Sequence, residues 1–145
     1  MRPLRSAVGD DSGATAVEFA GVLTLFLVLV LGCLHYGLYL WTANALQQAA
    51  NRTARCMGVL QSDCSAARAY SSSKTKSFTK AVAAGYGVTL ASSNLTLAPA
   101  TSCGGQGSNY SSITINYSFT GLAPGLLPGT GSTALTASAC FPNQS

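Results

Sequence analysis

Between Phe19 and Trp41 the chain runs for 23 residues without a charged side chain, and Val22–Leu31 is almost entirely Leu, Val and Phe. As an α-helix rising about 1.5 Å per residue, this stretch would be roughly 35 Å long. A hydrocarbon core is about 30 Å thick, so such a helix spans it with some tilt. The sequence therefore predicts one transmembrane helix, residues 14–41, preceded by a short polar segment, residues 1–13.

The predicted helix has no stop signal where the apolar run ends. Residues 42–57 contain no Gly or Pro, and Gly58 is the first plausible stop. The less polar side chains of this segment recur at helical spacing: Thr42, Ala45, Leu46, Ala49, Ala50, Thr53 and Met57. We therefore expect residues 42–57 to extend the helix beyond the membrane and to bury one face.

The remaining residues, 58–145, predict a small α+β domain. A second short helix is expected over 66–84, followed by three strands at Val88–Leu97, Ser112–Phe119 and Thr133–Cys140. Turn-rich segments at 104–109 and 123–131 separate the strands. The middle strand places four apolar residues on one face: Ile113, Ile115, Tyr117 and Phe119. Three strands cannot hide an apolar face alone, so we expect an antiparallel sheet packed on the long helix.

Cysteine placement indicates the compartment. Cys33 lies inside the apolar run, whereas the other four cysteines follow it without zinc-site spacing: Cys56, Cys64, Cys103 and Cys140. Four such cysteines in a region rich in Ser, Thr and Gly are typical of two disulfides in an oxidising space. Three pairings are possible. We favour a local Cys56–Cys64 bridge and a Cys103–Cys140 bridge between sheet segments.

Charge and residue inventory exclude several function classes. The net charge of +4 reflects few acids rather than a basic patch, because the six bases after the apolar run are spread over 29 residues. No basic stripe with interleaved aromatics is present, so we expect no nucleic-acid partner. The acids are Asp10, Asp11, Glu18 and Asp63, and the only histidine, His35, lies in the apolar run. This inventory assembles no catalytic group, metal site or cofactor loop, so we expect no enzyme and no cofactor.

Glu18 is the unusual charge, because a carboxylate at the mouth of a membrane helix is costly without a cationic partner. One interpretation is local: Thr15 and Glu18 fit a capping box that closes the first helical turn. At the other end of the run, Tyr39 and Trp41 are typical of the aromatic belt at a membrane interface.

The segment Gly13-Ala14-Thr-Ala-Val-Glu18-Phe19-Ala, followed by the apolar run, resembles the N-terminus of a TadE-like pseudopilin of the tight-adherence (Flp) pilus assembly system. The resemblance covers about a third of the chain, from Gly13 through Met57. It implies a pilin-like fold and cleavage by a prepilin peptidase after Gly13, which would make Ala14 the new N-terminus.

In such families a glutamate occupies the fifth position of the mature chain, and Glu18 occupies it here, followed by Phe19. The resemblance implies that the Glu18 carboxylate pairs with the N-terminal amine of a neighbouring subunit. It implies three kinds of partner: the prepilin peptidase, other pilins or pseudopilins with the assembly platform, and the lipid bilayer. The leader would stay in the cytoplasm and the cysteine-bearing domain would be periplasmic or extracellular.

Two other interpretations remain open. Val30-Leu31-Gly32-Cys33 is similar to a lipoprotein cleavage box, although the apolar run continues beyond Cys33 to Trp41. The chain would then be a lipidated, or simply membrane-anchored, periplasmic binding domain that does not polymerise. The charge bias across the helix does not decide the orientation, since two arginines lie near each end of it.

Overall fold

The computed structural model describes residues 11–121 and 131–144, with only the backbone described for Asp11, Ser12, Gln106 and Ser108. Most of the predicted leader, and the loop predicted at 123–131 except for its last residue, lie outside the described residues. Contacts divide the chain into two units, Met1–Gly37 and Leu38–Ser145.

The first element is one long helix, α1, which runs over Asp11–Gly58 and contains 48 residues. Its first described residue, Asp11, lies three positions before the predicted first position, residue 14. The part in Met1–Gly37 exposes its large apolar side chains, among them Val17, Phe19, Leu25 and Phe26. Among the described residues, it is the one helix whose length and composition suffice to cross a membrane.

The C-terminal cap of α1 is formed by a different residue from the one predicted. The Gln61 amide donates to the Cys56 carbonyl at 3.1 Å and the Leu60 amide to the Met57 carbonyl at 3.2 Å. With Leu60 at φ +50°, this is a Schellman cap. The left-handed position is therefore taken by Leu60, and Gly58 is still helical. The helix ends at the predicted residue, Gly58, but this glycine does not form the left-handed cap. It packs closely against Phe141 instead.

A small hairpin and a short helix follow. Strands β1 (Ser65–Ala66) and β2 (Ala69–Tyr70) pair antiparallel, and helix α2 covers Ser72–Gly85. The helix predicted from residue 66 is therefore wrong in its first six residues. The two residues at the hairpin turn, Ala67 and Arg68, both have positive φ, which no helix accommodates.

The sheet contains β3 (Leu95–Cys103), β4 (Gln106–Phe119) and β5 (Thr133–Pro142), antiparallel in that spatial order. Gly104 and Gly105, at φ +60° and +78°, form the two-residue turn between β3 and β4. Positive φ at both positions is the type I′ pattern, which matches the twist of the strands. The predicted loop at 104–109 is thus wrong beyond its two glycines.

The first strand also starts later than predicted. A 3₁₀ turn occupies Ser92–Asn94, and β3 begins at Leu95 rather than at Val88. The Asn94 side chain explains the boundary: its Oδ1 accepts from the Ala91 amide at 2.9 Å and its Nδ2 donates to the Asn116 carbonyl at 2.7 Å. These side-chain bonds replace strand pairing just before Leu95.

The core of the Leu38–Ser145 unit lies between α1 and one face of the sheet, with α2 beside it. The buried α1 residues include the whole predicted stripe, which confirms its helical spacing. They pack with buried residues of the sheet: Leu95, Ile113, Ile115, Phe119, Leu135 and Ala137. On the exposed edge of β5, the Gln47 side chain donates to the Ser138 carbonyl at 3.0 Å. The predicted α+β class is confirmed.

Candidate functional site

The N-terminal turn of α1 contains the predicted processing position. Gly13 and Ala14 are exposed, and nothing lies within 4 Å of the place where a Cβ on Gly13 would be. Within the described residues, the Gly13 position is therefore open to solvent.

Glu18 lies one helical turn after Ala14, on the same face of α1. About 6 Å of helix axis separates the two residues. The Glu18 side chain is exposed, flanked by Val17 and Phe19, which are 73% and 67% exposed. Within the described residues it forms no ion pair. The structure does not contain the capping box, because α1 begins at Asp11 and Thr15 lies inside the helix.

The structure contains the two favoured disulfides, and they differ in environment. Cys56 and Cys64, with Cα atoms 5.8 Å apart, are fully buried. Cys56 belongs to the last turn of α1, and the Cys64 carbonyl accepts from the Ser71 amide at 2.9 Å. This bridge therefore fixes the connection from α1 to α2.

The second disulfide joins Cys103 and Cys140, whose Cα atoms are 6.5 Å apart on the two outer strands. Cys140 points away from the core, since its neighbours along β5 alternate between buried and exposed. Between Ala98 and Cys103 the register of β3 shifts twice. Such irregularities bend a strand, and here they accompany the approach of the β3–β4 turn to β5.

The two aromatic residues predicted at the membrane interface, Tyr39 and Trp41, belong to the Leu38–Ser145 unit and contact other elements of it. The Tyr39 and Phe119 rings meet edge to face, with centroids 5.8 Å apart. The Trp41 indole is 61% exposed, and its Nε1–H donates to the Tyr86 carbonyl at 3.1 Å.

Sequence reasoning missed Tyr86 and Arg52. The Arg52 guanidinium lies 5.7 Å from the centroid of the Tyr86 ring, within cation–π range. Tyr86 follows the last residue of α2 and is flanked by glycines, and no sequence pattern connects it with α1.

The two described residues after β5, Asn143 and Gln144, form hydrogen bonds with the sheet and with α1. The Asn143 Nδ2 donates to the Pro99 carbonyl at 2.9 Å, and the buried Ser111 hydroxyl donates to the Asn143 Oδ1 at 2.6 Å. The Gln144 amide donates to the Gly58 carbonyl at 2.9 Å. The end of β5 is thereby attached both to the sheet and to the last turn of α1.

Tyr70 lines a cleft beside these residues, together with Met57, Gly58 and Asn143. Burial raises the pKa of the Tyr70 phenol, and the Thr75 hydroxyl beside it acts in the opposite direction. Within the described residues, no three His, Cys, Asp or Glu side chains come together as metal ligands. Cys33 is a free, exposed thiol.

Comparison with known proteins finds a similarity in the N-terminal segment. The family model of TadE-like proteins matches residues 13–55, less than a third of the chain. The match includes Gly13, Glu18, the apolar run and most of the buried stripe of α1. No curated protein and no solved structure matches the chain.

Proposed function

We propose that this TadE-like protein is a pseudopilin or minor-pilin-like subunit, cut by a prepilin peptidase after Gly13 and active in assembling a tight-adherence pilus. The TadE-like segment supports involvement in pilus assembly, and the long apolar helix supports a membrane anchor. One observation carries the finer proposal: an exposed glycine at the start of α1 with a carboxylate five residues later, against an uncharged run.

Cleavage creates a cationic partner for Glu18. Hydrolysis of the Gly13–Ala14 peptide bond releases residues 1–13 and leaves an α-amine on Ala14. In a bundle of such helices, the amine of one subunit neutralises the Glu18 carboxylate of the next. Two unpaired charges would be costly in a low-dielectric bundle, so the pair favours one longitudinal register between subunits.

The proposed topology places the leader in the cytoplasm, α1 across the inner membrane and the disulfide-bearing domain in the periplasm or outside the cell. The two disulfides support this direction, because disulfides persist in oxidising compartments. Partners are the prepilin peptidase, other pilins or pseudopilins, the assembly platform and the bilayer.

Mass spectrometry of the chain co-expressed with a prepilin peptidase tests the proposal. We expect a product that has lost residues 1–13 and begins at Ala14. Gly13→Leu should block the cut, because a large side chain must enter the protease site. Gly21→Leu is the matched control, since Gly21 is also a helical glycine in open space and should leave cleavage unchanged.

An intact chain in the presence of active peptidase would contradict the processing step. A product beginning at a lipidated Cys33 would instead favour a lipoprotein and remove the basis for assembly by the amine. Cleavage of Gly13→Leu at the wild-type rate would show that the peptidase does not select Gly13.

A further inference from the structure

Three residues of the Leu38–Ser145 unit form a compact aromatic and cationic group, here called the Trp41 cluster: Trp41, Arg52 and Tyr86. Tyr86 contacts the other two: its carbonyl accepts from the Trp41 indole at 3.1 Å, and its ring centroid lies 5.7 Å below the Arg52 guanidinium, within cation–π range. Both α1 side chains therefore contact one residue at the end of α2.

Trp41 presents its apolar surface outward. An interfacial tryptophan commonly directs its N–H to water or lipid, with its ring body in the apolar region. Here the N–H is already bonded to the Tyr86 carbonyl, while 61% of the residue remains exposed. The shallow niche beside the indole is lined by Asn44, Ala45 and Gln48 and exposes apolar surface. The part of Trp41 that a partner can contact is therefore the apolar face of its ring.

Arg52 supplies a positive charge without a carboxylate partner among the described residues. After Glu18 the sequence contains one acid, Asp63, against six bases between Arg52 and Lys80. A guanidinium over the face of a ring keeps its in-plane N–H donors available to a planar or tetrahedral anion. The charge of the cluster therefore complements a phosphate group.

The position of the cluster in the chain indicates the source of that phosphate. The apolar run ends at Trp41 and polar residues follow it, so in a membrane-spanning helix this residue lies at the headgroup layer. Side chains on a helix point toward its N-terminus, which directs Arg52 back along α1 toward Trp41. We infer that the Trp41 cluster binds the headgroup of an anionic phospholipid and thereby holds the end of α2 at the membrane surface. This inference rests on the proposed membrane span, but not on cleavage or on assembly.

Trp41 is the only tryptophan, so its fluorescence reports on the cluster directly. The full chain would be reconstituted in phosphatidylcholine vesicles with increasing fractions of phosphatidylglycerol, and quenching of Trp41 by acrylamide measured. We expect phosphatidylglycerol to protect Trp41. In Arg52→Gln, the fraction needed for half of the protection should rise about fivefold, the effect of one basic residue at an anionic surface.

Arg55→Gln is the matched control, because Arg55 is an exposed arginine on the same helix. It should keep the wild-type response, and an equal loss in both variants would reduce the effect to net charge and overturn the inference. Absence of any phosphatidylglycerol effect on the wild type would also overturn it. Protection that follows protein density in phosphatidylcholine alone would assign the surface to a second copy instead.

Extraction by alkaline carbonate separates this inference from its premise. A chain that stays in the membrane but ignores phosphatidylglycerol contradicts only the lipid site. A chain released by carbonate contradicts the membrane span itself, and with it the proposed function.

Discussion

Gly58 lies directly against Phe141, and no side chain fits between them. A Cβ placed on Gly58 would be 2.6 Å from Cδ1 of Phe141 and 2.9 Å from the carbonyl oxygen of Pro142. The Gly58 carbonyl also accepts from the Gln144 amide. The last turn of α1 and the end of β5 can therefore pack this closely only because residue 58 has no side chain.

Gly58→Ala should destabilise the domain by about 1–3 kcal/mol, the usual cost of overpacking. Phe141 could move its ring, but the Pro142 carbonyl belongs to the backbone of β5 and yields less. Thermal or denaturant unfolding of the full chain in detergent measures the change. Gly85→Ala is the control, since its Cβ meets nothing within 4 Å and alanine favours the helix. Equal stability of the two variants would contradict the close approach.

A buried hydroxyl pair joins the two helices, with Thr53 Oγ1 3.0 Å from Thr79 Oγ1. The Thr79 hydroxyl donates its single proton to the Thr75 carbonyl at 2.7 Å, so Thr53 is the donor of the pair. Thr79→Val should cost about 1–3 kcal/mol because it leaves a buried donor without an acceptor. Thr53→Val should cost less.

The double variant Thr53→Val with Thr79→Val tests the same pair. It should be no less stable than Thr79→Val alone, because both hydroxyls are replaced by methyl groups of similar shape. A double-mutant cycle from unfolding curves measures the coupling. Strictly additive losses would show that the two hydroxyls do not interact.

The two disulfides should differ in reducibility. Cys140 is exposed, whereas Cys56 and Cys64 have no accessible surface. Mild reductant on the folded chain should therefore open Cys103–Cys140 first, as read by alkylation and peptide mapping. Earlier labelling of Cys56 or Cys64 would contradict this order. Replacing Cys56 and Cys64 by serine should cost about 2–3 kcal/mol, as expected for a short closed loop.

Tyr70 should make stability fall at alkaline pH. Burial raises the phenol pKa in the folded state above its ordinary value of 10.0, so the folded chain retains a proton that the unfolded chain loses. The free energy of unfolding is unaffected below pH 10.0 and decreases from there up to the folded pKa. The free energy of unfolding of the Tyr70→Phe variant should decrease less over the same pH range. Parallel curves for the two chains would contradict a raised pKa.

Glu18 should be dispensable for cleavage but not for assembly. Glu18→Ala removes the acceptor for the Ala14 amine of a neighbour, so pilus assembly should drop while the mature N-terminus still appears. Glu18→Gln preserves size without charge and should be impaired as well. Normal assembly of either variant, scored by surface pili, would eliminate the ion pair from the proposal.

Local patterns predicted the elements that depend on neighbouring residues. The buried stripe of α1 follows from helical spacing, and the apolar face of β4, centred on Ile113 and Ile115, follows from alternation. The start of β3 did not follow, because the Asn94 side chain bonds to Asn116, 22 residues away. The start of α2 did not follow either, since the hairpin turn at Ala67 and Arg68 uses a conformation that their residue types disfavour.

Four features follow from the amino-acid sequence alone: an apolar helix of membrane length, an acid five residues after a glycine, a helical extension with one buried face, and cysteines that favour two pairs. These are properties of composition and of spacing within a few residues. Three features emerge only from the folded chain: why residue 58 is a glycine, which residue accepts the Trp41 hydrogen bond, and how Cys103 reaches Cys140. Each depends on residues far apart in the chain, 45 positions in the case of Trp41 and Tyr86, and spacing along a sequence carries no information about which distant backbone will approach.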